Sequence, residues 1–171
     1  MPQKKKKSCK RRKKLEIRGL TDECIGDYYK TAMYIAMPYC TFKCDKENKN
    51  QLCQNWELSS APIIEIPNDI LINRYLSNPL TEAIIFSGLE PFDSFAELYQ
   101  FIKDFRKISN DDIVIYTGYT EQEISEACKL FLEFKNIYIK FGRYRPKEKS
   151  HYDEILGIKL ASSNQYAKKI S

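Results

Sequence analysis

Four short runs, Ala32 to Met37 (AMYIAM), Ala83 to Gly88 (AIIFSG), Ile113 to Gly118 (IVIYTG) and Asn136 to Gly142 (NIYIKFG), constrain this chain more than any other feature. Each is almost continuously apolar, which fits strands buried on both faces of a parallel sheet. Helical spacing separates them. NDILINRYL places Ile70, Leu71, Tyr75 and Leu76 on one side. After Ser94 and Glu97, in capping-box spacing, Phe95, Leu98, Phe101, Ile102 and Phe105 recur at helical intervals, and Thr120 with Glu123 offers a second box before ISEACKLFLEF. Parallel neighbours need such crossovers, so the expected class is α/β with a mainly parallel sheet. Loops at the C-terminal ends of the strands then share one rim, where ligands of α/β proteins bind. The cysteine loop after the first run, SGLEP and TGYT should meet there. Polar residues from Arg143 onward are expected to cover a sheet edge or meet a partner.

A length of 171 residues suits one domain, and 43% hydrophobic with 30% charged residues offers no apolar stretch long enough to span a bilayer. The net charge of +5 is uneven. Nine of the 28 basic residues lie in KKKKSCKRRKK, and without them the remainder stands near −4. Residues 1–14 therefore read as a basic, disordered tail and residues 15–171 as the folded domain. The start has no apolar run behind its charges, so a cytoplasmic, reducing location is expected, with no membrane association.

In that setting cysteines serve metals or catalysis more often than disulfides. Cys40 is followed at Cys44 and, after eight residues, at Cys53. Soft thiolates on one loop suit a 4Fe-4S cluster, and three ligands leave one iron open to a substrate or cofactor. A structural zinc would need a fourth ligand, either a distant cysteine or His151, the only histidine. Three accidental thiols are the remaining reading. Cys9, Cys24 and Cys128 are scattered and read as ordinary thiols, while the pair Asp111 and Asp112 reads as a turn or cap.

The cysteine loop resembles the three-cysteine signature of the radical S-adenosylmethionine (SAM) superfamily, with a longer second interval. SGLEP resembles that superfamily's Gly-Gly-Glu-Pro loop, with Leu89 in place of the second glycine. A leucine at positive φ would be strained. IVIYTGYTEQEI, Cys53-Gln54-Asn55, Gly142-Arg143-Tyr144 and Ser162-Ser163-Asn164-Gln165 resemble, in order, segments of the activating protein of anaerobic ribonucleotide reductase. The likeness spans roughly Lys14 to Ile170. It implies an incomplete (β/α) barrel with the cluster loop after the first strand. It also implies that Cys40, Cys44 and Cys53 hold a 4Fe-4S cluster, that Gly88, Leu89, Glu90 and Pro91 cradle the methionine end of SAM, and that Thr117 and Gly118 border the cofactor.

The implied activity is reductive cleavage of SAM to a 5′-deoxyadenosyl radical, which generates a glycyl radical on a large partner subunit. A reductant such as a flavodoxin would supply the electron. The alternatives are a radical SAM enzyme acting on a nucleotide or peptide, and a noncatalytic metal module that binds nucleic acid through its basic tail.

Overall fold

The structure, a computed structural model, describes residues 13–171. The tail expected over residues 1–14 lies outside the described residues except for Lys13 and Lys14, and these two belong to the folded body. Lys14 opens a strand, and the Lys13 carbonyl accepts the Asn68 N–H at 3.0 Å.

Ten strands and four α-helices are described. β1 (Lys14–Ile17) pairs antiparallel with β4 (Ile64–Pro67), apart from the main sheet. The main sheet has six strands, in the order β10 (Tyr166–Lys169), β7 (Ile137–Phe141), β6 (Asp112–Tyr116), β5 (Ala83–Gly88), β3 (Ala32–Met37), β2 (Gly19–Cys24). It is mixed. β3, β5, β6 and β7 are parallel neighbours, while β2 and β10 run antiparallel at the two edges. β8 (His151–Asp153) and β9 (Ile158–Leu160) form a separate hairpin.

Period-two alternation divides the central strands between two faces. Met33, Ile35 and Met37 of β3, Ile84 and Phe86 of β5, Ile113 and Ile115 of β6, and Ile137, Ile139 and Phe141 of β7 share one core. Helices α2 (Asn68–Leu76), α3 (Phe95–Phe105) and α4 (Ser125–Phe131) close it with Leu71, Tyr75, Leu98, Phe101, Phe105 and Phe131. α1 (Lys43–Asn48) lies in the cysteine loop. The opposite face is covered by Tyr28, Leu156 and Leu160, over Ala32, Ala83, Ile85 and Val114. The polar C-terminal segment thus covers an edge with β10 and a face with the hairpin.

Local chemistry departs from the sequence expectation at one of the two expected capping boxes. Ser94 makes no capping bond and its Oγ is buried without a partner. A 3-10 turn, Pro91–Ser94, precedes α3 instead, and it is Glu90 that caps this turn by accepting the Phe92 N–H at 3.1 Å. The second box does form. Thr120 N–H donates to Glu123 Oε2 at 2.9 Å and Glu123 N–H returns to Thr120 Oγ1 at 3.3 Å, one turn ahead of α4. β6 also ends at Tyr116, which leaves Thr117 and Gly118 in the loop rather than in the strand.

Candidate metal centre

Parallel register brings the strand ends level: Met37 lies opposite Gly88, and Tyr116 opposite Lys140. The loops that leave these ends enclose a cavity of about 270 Å³. Cys40, Cys44, Cys53, Gly88, Leu89, Glu90, Thr117 and Gly118 all line it. Pro91 does not; it is buried at the start of the 3-10 turn. The hairpin closes the far wall with Ile158 to Ala161.

The cysteine loop folds back on itself to reach this cavity twice. Cys40 follows β3, and its Sγ accepts the Phe42 N–H at 3.2 Å. Phe42 is left-handed, with φ 51°, and starts α1, so Cys44 falls in the first helical turn. Lys49, also left-handed, ends the helix. The Asp45 carboxylate then accepts Leu52 N–H at 2.8 Å and Cys53 N–H at 2.9 Å, which returns Cys53 to the rim despite the long interval. Asn55 Nδ2 donates to the Gly88 carbonyl at 2.7 Å and ties this loop to the next one.

In that next loop the left-handed backbone belongs to Gly88, at φ 79°. Leu89 is not among the non-glycine residues with positive φ, which are Phe42, Lys49 and Asn136 among the described residues, so its replacement of a glycine brings no backbone strain. It is buried against the cavity.

Glu90 is the internal brace of the rim. Its buried carboxylate accepts Thr117 Oγ1–H at 2.6 Å and Gly118 N–H at 2.9 Å, and so fixes the third loop to the second. Burial pushes its pKa up to about 7, against the pull of these donors. A Cβ placed on Gly118 would lie 3.7 Å from Cys44 Sγ, which shows how closely the third loop approaches the cysteines.

Two charged residues at this rim received no role from the sequence, although Arg143 stood in one of the matching segments. Lys140 is buried, lines the cavity and donates to the Gly142 carbonyl at 3.0 Å; burial lowers its pKa to about 8. The alternation of β7 held the signal: with Ile137, Ile139 and Phe141 on the helical face, Tyr138 and Lys140 must occupy the other. Arg143 makes a two-pronged pair with Glu123, at 2.9 and 2.7 Å, and reaches Glu47 of α1 at 3.3 Å. The Gly142 to Tyr144 and Ser162 to Gln165 segments are packed together, since Gln165 Nε2 donates to the Gly142 carbonyl at 3.2 Å and Asn164 Nδ2 to the Arg143 carbonyl at 2.8 Å.

The Arg143 guanidinium, through its hydrogen bonds, holds Glu123 down at about 2. A depressed carboxylate stabilises the fold above its ordinary pKa of about 4.3, and that contribution is lost as pH falls through about 2. Glu123→Gln should therefore melt below the wild type at neutral pH, with the gap closing as the solution is acidified across that window. A gap that stays constant into acid would assign the pair no ionic role.

The donor set fits a metal better than a nucleophile. A reactive cysteine needs a lowered pKa. Here burial pushes Cys40 up to about 12 and raises Cys44 and Cys53 as well, so ionising these thiols calls for a strong local cation. His151, Cys24 and Cys128 do not line the cavity, and Cys9 lies outside the described residues. Among the described residues no group of three or more His, Cys, Asp or Glu converges where a single ion would sit. A tetrahedral zinc would hold its sulfurs about 3.8 Å apart, from Zn–S bonds of about 2.3 Å. The thiolates of a cubane bind different irons and stand further apart, an arrangement that three cysteines spread around one cavity can meet.

Three thiols on the rim of an α/β sheet are a donor set suited to an iron-sulfur cluster. The comparisons with known proteins agree: the chain belongs to the family described as a 4Fe-4S single cluster domain, whose model matches residues 26–167. No curated protein and no solved structure gave a match. No helix among the described residues is long and apolar enough to cross a membrane.

Proposed function

We propose that this iron-sulfur protein is a radical SAM enzyme of the glycyl-radical-activating type, with the cluster on Cys40, Cys44 and Cys53. The observation that carries the reading is the shared cavity: the three cysteines, Gly88 to Glu90 and Thr117 with Gly118 line one space. An incomplete barrel is the fold that accompanies it.

Bound and reduced, a cluster with one open iron supplies the electron that splits SAM into methionine and a 5′-deoxyadenosyl radical. The protein's own part is placement and exclusion. Gly88 brings its backbone to the same cavity as the cysteines. Glu90, braced by Thr117 and Gly118, keeps the second and third loops in fixed relation. Lys140 places a buried positive charge in the cavity, suited to an anionic group of the ligand. Ile158 and Leu160 of the hairpin add apolar residues to the cavity lining. A large glycyl-radical subunit and a flavodoxin-like reductant are the partners that go with this activity.

Anaerobic purification should give a brown protein with about four irons per chain, as a cubane requires. Its reduced paramagnetic resonance spectrum should change when SAM is added, and 5′-deoxyadenosine should accumulate. An iron-loaded protein whose spectrum ignores SAM and which releases no 5′-deoxyadenosine would sink the proposal. Transfer of a glycyl radical to a captured large subunit separates this activity from modification of a nucleotide or peptide.

A further inference from the structure

Eight residues separate Cys44 from Cys53. An insertion of that length adds little loop-closure entropy. It does leave the third ligand without a fixed position unless something pins it, and one side chain in the interval provides the pin. The Asp45 backbone carbonyl accepts the Lys49 N–H that closes α1 and the Asn50 N–H at 3.3 Å. Its carboxylate Oδ1 accepts the N–H groups of both Leu52 and Cys53, at 2.8 and 2.9 Å. The residue next to one cysteine therefore holds the backbone of another.

We propose that Asp45 is a positioning residue for the cluster: it clamps Cys53 in register with Cys44, and its carboxylate charge keeps the cluster's reduction potential low. The clamp follows from the two hydrogen bonds, which are charge-assisted and therefore stronger than bonds to a neutral oxygen. Once the nitrogen of Cys53 is fixed, its Sγ can move only through the side-chain torsions. The second effect follows from the charge itself. A negative charge beside a cluster disfavours addition of an electron, and outer hydrogen-bonding partners tune both affinity and potential. The proposal rests on Cys40, Cys44 and Cys53 being the ligands.

Asparagine and alanine separate the two effects. Asp45→Asn keeps an oxygen that can accept both N–H groups and removes the charge; Asp45→Ala removes both. Full-length wild type, the two variants and Cys53→Ala are reconstituted anaerobically. Iron per chain, the rate of cluster loss to a chelator and the midpoint potential by paramagnetic resonance titration are measured, with far-UV melting before loading as the folding control. Asp45→Ala should lose its cluster about tenfold faster than wild type, in the range that outer-shell substitutions produce. Asp45→Asn should stay within about twofold of wild type in retention and titrate at a more positive potential. Wild-type retention in Asp45→Ala would overturn the clamp, and an unchanged potential in Asp45→Asn would overturn the charge effect. Should Asp45→Ala not fold, Asp45→Leu, which also removes both acceptor oxygens, takes its place in the retention measurement, and Asp45→Asn still decides the charge effect through its potential. Full iron in Cys53→Ala would overturn the ligand assignment instead, and the clamp with it.

Discussion

Cys44→Ala, purified without oxygen, should be colourless and carry under about a tenth of the wild-type iron, because two thiolates cannot secure a cubane that normally has three or four. The side chain is central to the rim, facing the third loop close to Gly118 and standing under the influence of Arg143. Its loss should hardly affect the fold. Cys44 is only partly buried and lies in the first turn of a short helix with no buried residues, so removal of its sulfur leaves no closed cavity in the core. Melting of the unloaded protein should shift by no more than a substitution away from the core does, about 0.5 kcal/mol. Cys128→Ala supplies the contrast. Cys128 is buried on α4 against the main core and lines no part of the candidate site, so this variant should keep its colour and iron. Full iron in Cys44→Ala, or its loss in Cys128→Ala, would break the assignment.

That contrast between cysteines could be expected from spacing alone, and so could the central strands. Runs such as AIIFSG and IVIYTG are legible because a strand covered on both faces has no polar position to interrupt it. Edges are harder to read. KLEI, which becomes β1, buries only Leu15 and Ile17 and finds β4 about fifty residues away, while GLTDEC, which becomes β2, has no buried residue and is recognisable only once it pairs antiparallel with β3. The loops were legible as punctuation but not as geometry. Nothing local in DKENKNQL shows that Asp45 will capture the N–H of Cys53, since that depends on Lys49 turning left-handed at φ 54°. Glu90 likewise reads from sequence as a cofactor residue. In the folded chain its two oxygens are taken up by Phe92, Thr117 and Gly118, a role that exists only once two strands have brought their loops together.

Gly88→Ala should be strongly damaging for a single added methyl group. Gly88 has φ 79°, where an L-residue costs about 1–2 kcal/mol. Its new Cβ would lie 2.9 Å from both Cα and Cβ of Ala36 on β3, and 3.3 Å from Leu58 Cδ1. The first two atoms belong to a central strand that cannot move aside, and overpacking of that kind costs about 1–3 kcal/mol. Together these give about 3 kcal/mol, or a melting temperature roughly 10 °C lower for a chain of this size. The damage should extend to the cluster. The Gly88 carbonyl receives the Asn55 side chain, so displacing the loop pulls on the segment that follows Cys53. Ala36→Gly, introduced together with Gly88→Ala, removes the clash with the Ala36 methyl group but relieves neither the crowding against the β3 backbone nor the unfavourable φ. The double variant should recover part of the lost stability and stay well below wild type. Full recovery would mean that the left-handed backbone at Gly88 costs an alanine nothing, and the requirement for glycine would then be one of space alone.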